Sequence, residues 1–179
     1  MTQQRLALAT LAGAAAWLVQ AVNQVMHPTF AFTELTRPEH YVNDGSFAAA
    51  LVLTAAGFLL LRRERQAPPR ATAAAIGGQL LVAIGVLAGL VTGTVPGWFA
   101  AVGVPGNLVA FVATVVLAVW AWRTRALPRP AALALGLVVP VALVGGDAGG
   151  AILPAALWGY VGARALTPAP VRPTAAAAS

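Results

Sequence analysis

Long apolar segments constrain this chain more than any other feature of its sequence. Stretches close to the roughly 20 residues that a helix needs to cross a bilayer recur along the chain, separated by short polar connectors. Hydrophobic residues make up 59% of the 179 residues and charged residues 9%, against roughly 45–50% and about 25% in a soluble domain. The sequence therefore predicts an all-α, polytopic transmembrane helix bundle and excludes a soluble globule.

The apolar pattern divides into six predicted helices. A last apolar stretch, residues 128–165, would be about 55 Å long as one helix, far beyond a hydrocarbon core of about 30 Å. The sequence Gly-Gly-Asp-Ala-Gly-Gly at residues 145–150 predicts a turn inside it. We therefore expect six short helices, with five plus a re-entrant hairpin as the alternative. The first four are expected over residues 5–26, 46–61, 71–92 and 105–122, with Ser46 as an N-cap and Pro105 in a first turn.

Arginine is distributed unevenly about these helices, and this distribution predicts their orientation. With six spans, only Arg37 falls on one side, and the other ten arginines fall on the opposite side. Basic residues beside spans mark the cytoplasmic side. The pattern predicts a multi-pass protein of the cell (plasma) membrane with both termini in the cytoplasm. With five spans, Arg164 and Arg172 would lie outside, so the charge pattern favours six.

Composition also limits the domains, cofactors and partners. The length suits one transmembrane domain, residues 1–166, followed by a disordered cytoplasmic tail, residues 167–179, that is rich in proline and alanine. The net charge of +6 is explained by arginine near lipid headgroups, so we assign the lipid bilayer and no nucleic acid as partner. No cysteine is present, which excludes thiolate chemistry, and no motif indicates a cofactor. A homo-oligomer or a membrane-protein partner stays open.

A polar stripe on the first helix is the main candidate for a binding site. Gln20, Asn23, Gln24 and His27 recur at i, i+3, i+4 and i+7, which places them on one helix face. Such groups are costly against lipid, so the stripe must face other helices or water. One interpretation is hydrogen bonding between helices, and the other is the wall of a polar vestibule that is open to the outside.

Other polar residues map to the same outer depth as this stripe, among them Asn43, Asp44, Asn107 and Asp147. Of these, Asn107 and Asp147 join the candidate ligand-binding residues, although a turn aspartate commonly bonds its own backbone. Thr54 and Thr114, near mid-helix, are expected to bond their own helix backbone. A polar outer half above an apolar inner half describes a cup better than a channel.

The first connector carries weak candidates for metal binding. Histidine and carboxylate are suitable ligands for zinc and similar ions, but the spacing matches no established site, so we predict no metal site. The residues concerned are His27, Glu34, Glu39, His40 and Asp44.

Three short patterns resemble those of uncharacterised small multi-pass membrane proteins of high-GC bacteria. They are Trp17-Leu18 ahead of a His27-Pro28 helix exit, Arg125-Ala-Leu-Pro-Arg129 between two apolar spans, and Trp158-Gly159 in the last span. The resemblance implies a topology class and no catalytic residues.

The sequence favours a membrane protein that is not an enzyme. No span has an ionisable residue near its centre, and no hydrolase, metalloprotease or nucleotide-binding motif is present. The first hypothesis is a non-catalytic structural or accessory membrane component. The second is a small transporter or ligand-binding membrane protein that uses the outward-open vestibule, and the third is an intramembrane enzyme that uses the first outer loop.

Overall fold

The computed structural model describes residues 2–28 and 35–167, which fold into six α-helices. The helices follow the chain in order, and a short 3₁₀ turn, Gly146–Ala148, separates the last two. They are α1 Gln3–Met26, α2 Pro38–Arg65, α3 Pro69–Thr92, α4 Phe99–Thr124, α5 Arg129–Val144 and α6 Ile152–Leu166. The predicted all-α bundle of six helices is confirmed, as is the turn that divides the last apolar stretch. The predictions for Glu34 and for the tail, residues 168–179, lie outside the described residues.

Two predicted helix starts are wrong. Helix α2 begins at Pro38, eight positions before the predicted N-cap Ser46, whose hydroxyl instead donates to the carbonyl of Asn43 at 2.9 Å. Proline in the first turn, followed by Glu39, is a common helix start that the polar character of the segment concealed. Helix α4 begins at Phe99, so Pro105 lies inside the helix.

The helices pack in a ring. Each helix contacts its neighbours in sequence, and α6 closes the ring against α1 and also contacts α2. The side-chain amide of Gln3 donates to Glu64 at 2.6 Å and to the carbonyl of Ala165 at 3.4 Å, which joins the start of α1 to the ends of α2 and α6. We call this end, where α2, α4 and α6 end, the Arg-rich end, and the opposite end the Arg-poor end.

Helix length separates two groups of helices. Helices α1 to α4 are long and apolar enough to cross a membrane, whereas α5 and α6 have 16 and 15 residues. At 1.5 Å per residue, α5 and α6 reach about 23 Å, less than the roughly 30 Å of a hydrocarbon core. The four long helices fit a membrane protein.

Small residues bring α3 and α4 together at mid-height. A methyl group built on Gly78 would lie 2.6 Å from the carbonyl oxygen of Gly106, so the two backbones touch where a side chain would not fit. Close approach through small residues is a common way for helices to associate in membranes. Elsewhere on α3, Gly85 packs against the ring of Phe99, and Gly93 ends the helix with φ of 72°.

Candidate functional site

A cavity of about 470 Å³ lies within the ring of helices and extends from the Arg-poor end. Helices α1 to α5 contribute to its wall, together with Leu35, Val95 and Pro96 from the connectors. Its deepest lining residues include Gln79, which lies about 20 Å along the axis from the end of α3. The volume falls within the roughly 300–1,000 Å³ of small-molecule sites.

Four polar side chains on the cavity wall are buried and incompletely bonded. The acceptor oxygens of Gln20, Gln24 and Asn43 have no hydrogen-bond partner in the described part of the chain, and neither does the indole N–H of Trp17. These residues are 5%, 9%, 6% and 3% exposed, respectively. An unpaired buried polar group costs about 1–3 kcal/mol, so such groups are rare in native proteins. Four of the five such atoms in the described chain belong to residues of this one wall, and the fifth, the indole N–H of Trp158, lies outside the cavity.

The rest of the wall is mainly apolar and aromatic. The rings of Trp17 and Phe47 meet edge to face, with centroids 5.5 Å apart, and Phe99 lines the cavity from α4. Valines and a leucine from α2, α3 and α5 complete these surfaces, namely Leu51, Val82, Val86, Val138 and Val139. A ligand would therefore need an apolar body as well as polar groups.

The ionisable groups on the described wall are His40 and Asp44, both near the start of α2. Asp44 accepts a hydrogen bond from the amide of Asn43 at 3.1 Å. No arginine lines the described part of this cavity. The charge available to a ligand is therefore that of one carboxylate and one imidazole, which disfavours an anionic ligand.

Gln79 is the polar floor of the cavity, and Thr54, which does not line the cavity, lies against it. The hydroxyl of Thr54 donates to the carbonyl of Ala50 at 2.7 Å, as predicted, and lies 3.4 Å from the side-chain oxygen of Gln79. Thr114 likewise donates to the carbonyl of Phe111, at 2.9 Å. These bonds satisfy the hydroxyl protons deep inside the bundle.

Beyond this floor the bundle is tightly packed. The rings of Phe58 and Trp158, both fully buried, meet edge to face with centroids 4.6 Å apart. The indole of Trp158 lies on Gly57, where an added methyl group would come within 2.5 Å of the ring. Leu117 and Leu135 are also fully buried. The cavity is therefore closed toward the Arg-rich end, and its shape is that of a cup.

Only some of the predicted ligand-binding residues line the cavity. Gln20, Gln24 and Asn107 line the cavity, although Asn107 also donates to the carbonyl of Gly103 in its own helix at 3.1 Å. Asn23 is turned toward α2, where its amide donates to the carbonyl of Glu39 at 3.0 Å. His27 is exposed and does not line the cavity. The side chain of Asp147 lies outside the described part of the structure.

Several lining residues were absent from the predicted set. The sequence predicts the correct depth for Asn43 and Asp44 but assigns them to a connector, because it predicts the start of α2 too late. Trp17 and Gln79 carried a signal in their types, since an indole and an amide within apolar spans need partners. Phe99 gave no such signal, because its position depends on how α3 and α4 pack.

The weak metal candidates do not come together. Among the described residues, no group of three or more histidine, aspartate or glutamate side chains is placed to hold a metal ion. Glu39 lies 3.8 Å from the guanidinium of Arg37, and His27 is exposed at the end of α1. Glu34 lies outside the described residues. His40 and Asp44 share the cavity wall with amides and apolar side chains instead.

Comparison of the chain with protein-family models, with curated proteins and with solved structures found no match. The functional assignment therefore depends on the geometry of the cavity and on the distribution of charge.

Proposed function

We propose that this chain is a multi-pass membrane protein that binds a small, partly apolar molecule in the cup at its Arg-poor end. The observation that carries this proposal is the set of four buried polar atoms without partners on one cavity wall. If these residues only joined helices together, their acceptor oxygens would be expected to meet donors on neighbouring helices. The unpartnered atoms therefore favour a ligand-binding protein over a purely structural or accessory component.

The charge distribution supports an orientation for the cup. The described arginines other than Arg37 lie at the Arg-rich end or beside it, which the positive-inside rule assigns to the cytoplasm. We propose six spans, both termini in the cytoplasm and a cavity that opens outward from the cell membrane. Helices α5 and α6 would span by local thinning of the bilayer or by extension of flanking residues, at a cost of fractions of a kcal/mol per Å.

The chemistry of the wall defines a ligand class. Three of the four unpartnered atoms are acceptor oxygens, and the nearby carboxylate of Asp44 also accepts hydrogen bonds. Aromatic rings from Trp17, Phe47 and Phe99 provide surfaces suited to an apolar body or to a cation over a ring face. The ligand that fits is neutral or positively charged, carries hydrogen-bond donors and has an apolar part.

The closed inner half bears on the choice between binding, conduction and transport. A channel needs a continuous path, whereas packing around Phe58 and Trp158 blocks the Arg-rich half. Binding is thus the activity that this conformation supports, and transport would require the contact between Trp158 and Gly57 to open. The part of the first connector that an enzyme would use includes residues 29–34, outside the described residues.

Ligand selection can be measured with four small probes that share a phenyl ring and differ in the group attached to it. We would titrate purified protein in detergent micelles with benzylammonium, benzyl alcohol, toluene and benzoate and follow tryptophan fluorescence. Benzylammonium and benzyl alcohol should bind at least about tenfold more tightly than toluene, because a donor to a buried acceptor is worth about 1.4 kcal/mol or more. Benzoate should bind weakly, because it brings a negative charge beside Asp44.

The matched variants are Gln24→Leu, on the wall, and Asn23→Leu, one position earlier on the same helix but turned toward α2. Gln24→Leu should remove the preference for benzylammonium over toluene, and Asn23→Leu should retain it. If toluene binds the wild-type protein as tightly as the donor-bearing probes, the wall does not select polar groups and the proposal is wrong.

A further inference from the structure

A second cavity, of about 830 Å³, lies at the Arg-rich end. It is formed where α2, α4 and α6 end and α5 begins. Arginines from each of these places line it, namely Arg65, Arg123, Arg125, Arg129 and Arg164. Membrane proteins commonly carry arginine beside their spans, and in this bundle five of them line one cavity.

These arginines lack acidic partners in the described residues. No carboxylate of the described chain lies within 4.0 Å of any of the five guanidinium groups; the ion pair of the described residues, Arg37 with Glu39, is at the Arg-poor end. Glu64 is the acidic residue of the cavity wall, and its carboxylate accepts a hydrogen bond from Gln3 at 2.6 Å. Five positive charges against one negative charge repel one another unless an anion from elsewhere joins them.

Guanidinium groups favour a phosphate as that anion. Their planar array of N–H donors matches phosphate oxygens in pairs, and several of them together suit a group with more than one negative charge.

The surroundings of the cavity indicate where the phosphate comes from. Trp122 and Tyr160 are partly exposed on its wall, and the guanidinium of Arg129 lies over the Trp122 ring at 5.5 Å. Aromatic residues of this kind mark the membrane interface, where lipid headgroups lie. Leu60 and Leu127 give the cavity an apolar side next to its charged one. Basic cavities between spans on the cytoplasmic side are suited to polyanionic lipid headgroups.

We propose that the Arg-lined cavity binds the headgroup of an anionic phospholipid that carries two phosphate groups. This site is separate from the cup, because the two cavities share no lining residue. The proposal requires the Arg-rich end to face lipid headgroups but does not depend on what the cup binds. Loss of one activity therefore leaves the other measurable.

The test counts lipids bound to purified full-length protein in detergent micelles by native mass spectrometry. Cardiolipin, with two phosphates, is titrated against phosphatidylglycerol, with one, and pyrophosphate is added as a soluble competitor. The wild-type protein should bind cardiolipin more tightly than phosphatidylglycerol, and pyrophosphate should compete poorly. Competition by pyrophosphate at the same concentration as cardiolipin would overturn the lipid as the source of the phosphate.

Two double variants remove equal charge from the Arg-rich end. R65Q/R164Q removes two arginines that line the cavity, and R62Q/R70Q removes two at the same end that do not line it; all four are exposed. The first should weaken cardiolipin binding about 30-fold, because each basic residue beside an anionic headgroup contributes about fivefold. The second should change it less than about threefold in 0.15 M salt, because salt screens charges that do not contact the headgroup directly.

A second double variant in the cavity keeps the proposal testable if R65Q/R164Q does not fold. R123Q/R125Q removes two other arginines of the same wall and should weaken cardiolipin binding by a similar factor. Equal weakening by R62Q/R70Q and by both cavity variants would show that overall charge, not the cavity, attracts the lipid. That result would overturn the proposal.

Discussion

Replacement of Gln20 by leucine tests the polar wall of the cup through protein stability. Gln20 is 5% exposed, and its side-chain oxygen has no partner in the described chain. An unpaired buried polar group costs about 1–3 kcal/mol, and a leucine of similar size removes that cost. The gain should lie near the low end, about 1 kcal/mol, because water that enters the cavity would supply part of the missing bond. For a chain of this size, that corresponds to a rise in melting temperature of about 2–4 °C.

Gln79 provides a matched control, because it is the same residue type with a different environment. Gln79 is 3% exposed, and its oxygen lies 3.4 Å from the hydroxyl of Thr54. Gln79→Leu removes that contact and should therefore lower stability by about 0.6 kcal/mol, the average for polar contacts between membrane helices. The same substitution at the two sites should thus change stability in opposite directions.

The assay is thermal unfolding of the two variants in detergent micelles, followed by circular dichroism. Gln20→Leu should also lose about tenfold in affinity for benzylammonium while it gains stability. A fall of more than 2 °C in the melting temperature of Gln20→Leu would refute the reasoning, because it would mean that the Gln20 amide is fully bonded in the folded protein.

Two further predictions concern packing and topology. Gly57→Ala should lower stability by about 1–3 kcal/mol, because its methyl group would come within 2.5 Å of the Trp158 ring. In the control Gly77→Ala the methyl group meets open space, so that variant should be neutral or stabilising. Thermal unfolding of both variants measures the difference. Single cysteines at Gly97 and Arg70, both exposed, should be labelled by an impermeant maleimide from opposite sides of the membrane, and labelling of both from one side would contradict the six-span topology.

The sequence allowed prediction of the elements that depend on local pattern. The turn at residues 145–150 divided an apolar stretch too long for one span, and the structure has its helices on either side of it. The start of α2 was predicted too late, because Glu39, His40 and Asp44 make the first turns polar, and a connector is polar as well. Only the packing of the first turns of α2 over α1 and α3 shows that these residues form a helix and not a connector.

The sequence predicts how deep the candidate site lies in the bundle but not which residues line it. Gln20 and Gln24 lie on the cavity wall, whereas Asn23 turns to α2, although all three belong to the same polar stripe. Their spacing of three and four residues is too coarse to separate a cavity wall from the adjacent helix contact. The Arg-lined cavity was not visible in the sequence, because it depends on which helix ends meet across the ring.

The central claim is that the bundle holds a cup that is open at the Arg-poor end and closed below its floor. It can be tested by single cysteines at Gln20, on the cup wall, and at Thr10, which is fully buried in the packed half. A small, positively charged methanethiosulfonate reagent is added outside intact cells, and the reaction rate at each cysteine is measured. The account predicts measurable reaction at position 20 and none at position 10. Equal rates at both positions, or no reaction at position 20, would contradict it.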